Sequence, residues 1–196
     1  MSTDHSFVVL IAGGTASGKS SIVERFVRDT GAVHLGHDRY YFDVPEPEGH
    51  DFDHPDSLDT DRLLQDLTRL KRGETAELPV YDFASHTRTS RVEAMAPAPL
   101  IVVEGILVMS DPRLVAIADL TVFVDAPEPV RLERRLARDV AERGRTPESV
   151  MAQYEATVRP NHDRFVEPCR SIADVILDGC DPLSASVERL KRVLPR

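Results

Sequence analysis

The sequence predicts a three-layer α/β domain with a mainly parallel sheet, and three observations support this fold class. A glycine-rich motif, G-x-x-x-x-G-K-S at residues 13–20, follows the apolar run 7–12 and leads into a stretch with helical spacing. Unbroken apolar runs at 100–105 and 120–125 are typical of strands buried on both faces. These runs alternate with helical patterns along the 196-residue chain, so we expect a single domain over 1–196.

The remaining elements follow from hydrophobic periodicity and from the turn residues that bound them. Further strands are expected at 32–35 and 172–177. Helices are expected at 21–28, 60–72, 111–118, 127–143, 147–159 and 182–193. Pro127 suits the start of the longest helix, because proline at the first helical position sacrifices no hydrogen bond.

A β-hairpin interrupts this alternation within residues 74–95. The stretches 78–83 and 87–92 predict its two arms, and 84–86 predicts its tip. Since an insertion between two βα units lies outside their regular order, we expect the hairpin to stand off the sheet as a substrate flap.

Composition and charge exclude several classes of protein. The net charge of −9 argues against a nucleic-acid-binding surface. The first residues carry no basic leader pattern, and no apolar run approaches membrane-spanning length. The two cysteines are interpreted as free thiols in a reducing compartment. We therefore expect a cytoplasmic protein with a small-molecule substrate and no nucleic-acid or membrane partner.

The motif at 13–20 is interpreted as a phosphate-binding loop, because a strand precedes it and a helix follows it. Glycines let successive backbone amides converge on phosphate oxygens, and the helix N-terminus adds positive potential. Lys19 would reach the β- and γ-phosphates, and the Ser20 hydroxyl would bind Mg²⁺. The residues expected to bind ATP or GTP are Gly13, Gly14, Thr15, Ala16, Ser17, Gly18, Lys19, Ser20 and Ser21.

Two acids follow predicted strands at the same edge of the sheet. Glu104 ends the run 100–104 and is expected to hold Mg²⁺ directly or through water. Asp38 follows the second strand and is a candidate base that could also contact the metal. Either acid could instead cap a turn or helix, and spacing alone leaves that alternative open.

The longest predicted helix carries arginines on one face, at Arg131, Arg134, Arg135 and Arg138. On the opposite face, Leu132, Leu136 and Val140 are expected to anchor the helix to the protein. With Arg143 and Arg145 around Gly144, residues 131–146 are interpreted as an arginine lid for phosphates. The alternative is a solvated face with ion pairs from Arg135 to Asp139 and from Arg138 to Glu142.

Six segments between residues 13 and 168 together resemble the uridine–cytidine kinase branch of the phosphoribulokinase/uridine kinase family. They are GGTASGKSS, FDHPDSLD, VYDFASHTR, VVEGIL, RLERRLARDVAERGR and QYEATVRPNHDRFVEP. The resemblance implies a P-loop NTPase fold of the nucleoside and nucleotide kinase type. It also implies transfer of the γ-phosphate of ATP or GTP to the 5′-hydroxyl of uridine or cytidine, in pyrimidine salvage.

The resemblance also implies roles for single residues. The catalytic residues would be Asp38 as base, Lys19, and the lid residues Arg138, Arg143 and Arg145. Asp53 would hold the ribose hydroxyls, while Tyr81 and His86 would read the pyrimidine edge. The substrate-binding set would be Asp38, Tyr41, Asp53, Tyr81, Phe83, His86, Ile106, Arg135 and Gln153. The metal ligands would be Ser20, Glu104 and Asp38.

Three features depart from the family pattern. The loop from Tyr41 to Asp51 is short and proline-rich, Asp51 stands where asparagine is usual, and Asn161 replaces a common methionine. The first two flank the ribose site, so they bear on nucleoside preference more than on reaction type. Another small hydroxyl acceptor, such as phosphoribulose, pantothenate or nicotinamide riboside, is an alternative. A non-catalytic nucleotide switch is the remaining alternative. Similar enzymes are often tetramers, so a homo-oligomer is an open expectation.

Overall fold

The computed structural model describes residues 6–44 and 50–195. Its strands are β1 Phe7–Ala12, β2 Val33–Gly36, β3 Ala76–Asp82, β4 Thr87–Met95, β5 Leu100–Glu104, β6 Leu120–Asp125 and β7 Val175–Asp178. Its helices are α1 Lys19–Thr30, α2 Thr60–Lys71, α3 Pro112–Ile117, α4 Glu128–Arg143, α5 Pro147–Gln153, α6 Arg159–Asn161 and α7 Leu183–Val193. Short 3₁₀ turns lie at His37–Tyr40, Pro55–Ser57 and Glu167–Ile172.

The main sheet has the strand order β2-β5-β1-β6-β7, and all its pairs are parallel. Successive residues of β1 point to opposite faces, so Val8 and Leu10 join one apolar cluster while Val9 and Ile11 join another. The first cluster includes leucines of α2, and the second includes residues of α1 and α7. Helices therefore cover both faces, and the three-layer fold with a mainly parallel sheet is confirmed.

Parallel pairing brings the carboxyl ends of the central strands together. In the register, Ile11 of β1 lies beside Glu104 of β5, and Glu104 lies beside Gly36 of β2. The glycine motif leaves β1 at this edge, and a 3₁₀ turn with Asp38 leaves β2 there. Because ligands of open parallel sheets bind at the carboxyl ends of the strands, we expect the functional site at this edge.

The predicted hairpin is confirmed. Strands β3 and β4 pair antiparallel in a separate two-stranded sheet, with a register shift between Pro79 and Tyr81. Arg88 ties this sheet to the core, because it donates to Asp59 and to the carbonyls of Tyr40 and Tyr41. The role of the hairpin as a substrate flap stays a prediction.

The region after α5 differs from the prediction. The chain does not leave the helix near residue 159 but continues through π-helical turns at Tyr154–Val158 and His162–Val166. Pro160 and Pro168 follow these turns, and proline removes the donor that a regular α-helix requires. The last strand begins at Val175 rather than 172, because the preceding residues form a 3₁₀ turn in which Ile172 is 53% exposed.

Within the described residues, no helix is long and apolar enough to cross a membrane. The first residues of the chain and part of the proline-rich loop, at 45–49, lie outside the described residues.

Candidate active site

The motif at 13–20 forms a tight loop between β1 and α1. Gly13 and Gly18 have φ of 146° and 99°, and Ala16 also has a positive φ, 56°. A Cβ atom on Gly13 would lie 2.4 Å from the carbonyl oxygen of Val124, so only glycine fits there. The loop is held close against β6 while α1 begins behind it, which leaves its amides available for an anion.

Two buried side chains of this loop suit a phosphate group. The Lys19 Nζ donates to the Gly14 carbonyl at 3.1 Å, and burial lowers the pKa of Lys19. The buried Ser17 Oγ has no hydrogen-bond partner among the residues that the structure describes. Because a buried cation and an unsatisfied hydroxyl are costly without a ligand, this donor set fits a phosphate.

Ser20 and Glu104 meet beside the loop, and both were predicted to bind Mg²⁺. The Ser20 Oγ donates to Glu104 Oε1 at 2.9 Å, and His34 Nε2 lies 3.5 Å from Oε2. Burial would raise the pKa of Glu104, but the hydrogen bond from His34, the charge of Lys19 and the bond from Ser20 together lower it. An ionised carboxylate beside a hydroxyl fits Mg²⁺, which keeps several water ligands and shares phosphate oxygens.

Asp38 lies in the 3₁₀ turn that follows β2. Burial raises the pKa of Asp38, and the nearby charge of Glu104 raises it further, whereas His34 and Lys19 act in the opposite direction. The carboxyl group folds back over Gly36, where a Cβ atom would lie 2.7 Å from Asp38 Oδ1. Asp38 therefore shares the electrostatic environment of the predicted metal acid and loop lysine, and its role as base stays a prediction.

His37 packs under the same turn. Its ring covers Gly105, where a Cβ atom would lie 2.6 Å from His37 Cβ, and its Nε2 lies 3.4 Å from Thr60 Oγ1. Burial lowers the pKa of His37 to about 4, from an ordinary value of 6.5. The imidazole is therefore neutral in the folded protein at neutral pH, and it packs the first residue of the turn that carries Asp38 against Gly105 and Thr60.

We expect acid to destabilise the protein through His37. Because the folded-state pKa is below the unfolded value, stability is complete above pH 6.5 and falls as the pH drops from 6.5 toward 4. The loss between pH 7.5 and pH 5 is about 2 kcal/mol from this group, at about 1.4 kcal/mol per pH unit. Urea unfolding at both pH values measures it, and His37→Gln should remove that part of the pH dependence. Equal pH dependence in both proteins would contradict the assignment.

The predicted substrate-binding aromatic residues form one cluster that joins the hairpin to Tyr41 and Phe52. The ring centroid of Tyr41 lies 5.6 Å from that of Tyr81, which in turn lies 5.1 Å from that of Phe83. Phe52, which the sequence did not indicate, links Tyr41 at 5.5 Å to His86 at 4.9 Å. The cluster presents tilted and edge-on rings, a surface suited to a planar base.

Asp53 lies in a narrow cleft opposite the phosphate loop. Burial raises the pKa of Asp53, and the charge of Arg135 opposes this rise. The cleft encloses about 10 Å³ and is lined by Thr15, Asp53, Ile106, Val158, His162 and Val166. This space fits about one water molecule, so a larger ligand requires the cleft to widen.

The prediction for the faces of α4 was wrong. Arg131 and Arg135 are each 6% exposed, whereas Val140 is 41% exposed and cannot anchor the helix. The predicted anchors Leu132 and Leu136 are only partly buried. The reason is that α4 turns its polar face toward the phosphate loop: Arg135 Nη1 donates to Thr15 Oγ1 at 3.0 Å.

Asp139 lies at the centre of the arginines that were predicted to form a lid. Its side chain is fully buried and lies within ion-pair distance of four guanidinium groups, at 3.6 Å from Arg135, 2.8 Å from Arg138, 3.5 Å from Arg143 and 3.7 Å from Arg145. Of the two ion pairs weighed from sequence, Arg135–Asp139 is present. In the described part of the chain, Arg138 pairs with Asp139 rather than Glu142.

Gln153, the last residue of α5, binds two arginines of this cluster. Its Oε1 accepts hydrogen bonds from Arg135 Nη2, at 3.0 Å, and from Arg145 Nη1. Sequence reasoning missed Asp139 as the centre of this network, although an acid among four arginines of one segment was a usable signal.

Two further contacts were not predicted. Arg131 Nη2 lies 3.1 Å from His162 Nε2 above Gly14, where a Cβ atom would lie 2.8 Å from Arg131 Nη1. Asn161 Nδ2 donates to Asp51 Oδ2 at 2.6 Å, so two positions that depart from the family pattern touch each other. No local sequence signal indicates either contact.

Phosphoryl transfer requires a cradle for the donor, oxygen ligands for Mg²⁺ and cations near the transferred group. One edge of the sheet gathers groups suited to all three tasks. The fold and this arrangement define the chain as a P-loop kinase, an enzyme that passes a phosphoryl group to a hydroxyl acceptor.

Comparison with known proteins places the chain within that class. The phosphoribulokinase/uridine kinase family model matches residues 45–182, and the chain belongs to this family. Uridine kinase from Chloroflexus aurantiacus is 44% identical over 187 residues, covering 91% of this chain and 89% of that protein. Uridine kinase from Aeromonas hydrophila subsp. hydrophila is 42% identical, covering 96% and 94%. The solved phosphoribulokinase from Rhodobacter spheroides shares the fold, with a TM-score of 0.65 at 16% identity over 93% of this chain and 75% of that one.

Proposed function

We propose that this chain is a pyrimidine ribonucleoside kinase that transfers the γ-phosphate of ATP, or of GTP, to the 5′-hydroxyl of uridine or cytidine. The observation that carries the proposal is the cleft in which half-buried Asp53 faces Thr15 of the phosphate loop. An aromatic cluster beside this cleft suits the base, and relatives named uridine kinase are 42–44% identical over most of the chain.

The donor triphosphate lies in the loop with Lys19 on its β- and γ-oxygens. Ser20 and Glu104, which are joined by a hydrogen bond of 2.9 Å, would hold Mg²⁺, and Asp38 would be a third candidate ligand. When bound, Mg²⁺ would supply neutralisation of the negative charge on the triphosphate. The loop amides and Lys19 then keep the terminal phosphorus in line with the acceptor.

Asp38 orients the acceptor hydroxyl and takes up its proton. The hydroxyl oxygen forms a bond to the γ-phosphorus while the bond to the β–γ bridging oxygen breaks, and the nucleoside diphosphate leaves. Because the transition state is loose, a carboxylate suffices as base, and the raised pKa of Asp38 makes it a stronger one.

Asp53 selects the sugar. Its two carboxylate oxygens can accept the hydrogens of the 2′- and 3′-hydroxyls, which replace water as partners of this half-buried carboxylate. A 2′-deoxy sugar leaves one oxygen of that carboxylate unpaired, and this costs binding energy.

The arginine lid and the hairpin at 74–95 belong to the same domain, 1–196. Both close over the substrates. Arg138, Arg143 and Arg145 neutralise charge on the transferred group, and Tyr81 and His86 contact the base. The narrow cleft at Asp53 has to widen when the nucleoside enters. The enzyme acts in the cytoplasm as a homo-oligomer, which similar enzymes often form.

The direct test is coupled measurement of ADP release with uridine, cytidine and their 2′-deoxy forms. We expect turnover with both ribonucleosides. Turnover only with phosphoribulose, pantothenate or nicotinamide riboside would assign another acceptor to the site. Nucleotide binding without turnover of any acceptor would favour a nucleotide switch.

We expect Asp53→Asn to lower kcat/KM for uridine roughly 10- to 100-fold, since a hydrogen bond to a charged group contributes about 1.5–3 kcal/mol. The effect on 2′-deoxyuridine should be severalfold smaller, because that substrate makes one contact fewer. Asp56→Asn, three residues away and exposed, is the matched control and should leave both values unchanged. Equal losses for the two nucleosides would contradict the diol contact.

A further inference from the structure

We propose that Asp51 and Asn161 form a positioning pair that holds the acceptor turn, residues 51–54, in register with the helical segment after the lid, and so sets selectivity for ribonucleosides. The proposal rests on the proposed function, since it assigns the supporting contacts of the same sugar site. Neither residue touches the reacting atoms; both act through Asp53.

The Asp51 carboxylate uses its two oxygens on different partners. Oδ2 accepts the hydrogen bond from Asn161 Nδ2 at 2.6 Å, and Oδ1 accepts from the backbone N–H of Asp53 at 3.1 Å. A carboxylate acceptor makes these bonds stronger than neutral ones. One side chain thus fixes the backbone of the residue that faces the sugar.

The partner side chain is anchored in the interior. Asn161 is 7% exposed and closes the short helix α6, 110 residues along the chain from Asp51. Its neighbours Val158 and His162 line the same cleft as Asp53. The pair therefore joins the two walls of the sugar cleft by a direct bond.

This link matters most for a substrate that needs both oxygens of Asp53. A cis-diol has to meet the carboxylate in one orientation, and small displacements of a positioning group are costly in such bidentate contacts. A loosened acceptor turn should therefore impair uridine more than 2′-deoxyuridine, and it should leave the donor nucleotide site untouched.

The experiment uses Asn161→Asp, Asn161→Leu and the exchange variant Asp51→Asn/Asn161→Asp. Asn161→Asp places two carboxylates in contact, and Asn161→Leu removes the donor. The exchange variant restores the hydrogen bond with donor and acceptor reversed, while the amide oxygen at position 51 can still accept from the Asp53 N–H. Asp163→Asn, an exposed charge change two residues away, is the matched control.

The ratio of kcat/KM for uridine to that for 2′-deoxyuridine is measured in each protein, with the KM for ATP. We expect Asn161→Asp to lower the ratio about tenfold, Asn161→Leu about fivefold, and the exchange variant to recover it to within about threefold of wild type. The KM for ATP and the control variant should not change. Equal losses with both nucleosides, or no recovery in the exchange variant, would overturn the proposal while the function stands. Absence of uridine turnover in the wild type would instead overturn the function and, with it, this inference.

Discussion

Asp38→Asn is expected to lower kcat about 10³-fold, within the range of about 10²–10⁴ that a positioned general base contributes. The asparagine keeps the shape of the side chain, so it can still lie over Gly36 in the turn that follows β2. It cannot take up the proton of the attacking hydroxyl. Affinity for the nucleotide should stay within about threefold, because the phosphate cradle is formed by the loop at 13–20 and not by Asp38.

Coupled ADP release gives kcat, and calorimetry with ADP gives the affinity. The exposed acid Asp61, on α2, provides the control Asp61→Asn, which should match the wild type. A second readout is the pH profile: the raised pKa of Asp38 puts the acid limb of kcat above the ordinary value of 3.8, with activity lost as the pH falls. That limb should vanish in Asp38→Asn. Unchanged kcat would end the assignment of Asp38 as base.

The phosphate side of the site could be predicted because its signals are local. A strand, a glycine loop and a helix follow one another at residues 7–30, and parallel pairing then brings Glu104 to the same edge. The hydrogen bond from Ser20 to Glu104 is consistent with that prediction, although it joins residues 84 positions apart. The position of Glu104 at the end of its strand was therefore enough to predict that it lies beside the phosphate loop.

The acceptor side and the lid depend on tertiary contacts that periodicity does not encode. The apolar face of α4 was expected to point inward, which is the rule for a helix on an apolar core. The helix instead covers a polar loop, so Arg131 and Arg135 are buried and Val140 is exposed. The contact between Asp51 and Asn161 spans 110 residues, and only the folded chain reveals it.

Asp139→Asn is expected to lower both stability and turnover. Removing one partner of a buried ion pair costs about 3–5 kcal/mol, because it leaves the other charge uncompensated, and Arg135 is the buried partner here. Arg135 donates to Thr15 and to Gln153, so a displaced Arg135 loosens the link between the phosphate loop and α5. We expect the free energy of unfolding to fall by about 3 kcal/mol and kcat to fall roughly 100-fold.

Urea unfolding and kcat at 10 °C, where the variant stays folded, separate the two effects. The matched control is Glu142→Gln, an exposed acid on the same helix, which should change neither quantity. A variant with reduced stability and full kcat would show that Asp139 has a purely structural role. The arginines would then keep their functional positions without it. Loss of kcat in a folded variant that retains its affinity for uridine would show that turnover depends on the Asp139 carboxylate. Four guanidinium groups within 4 Å of one carboxylate repel each other, so without it we expect Arg138, Arg143 and Arg145 to move apart and their proposed action on the transferred phosphate to weaken.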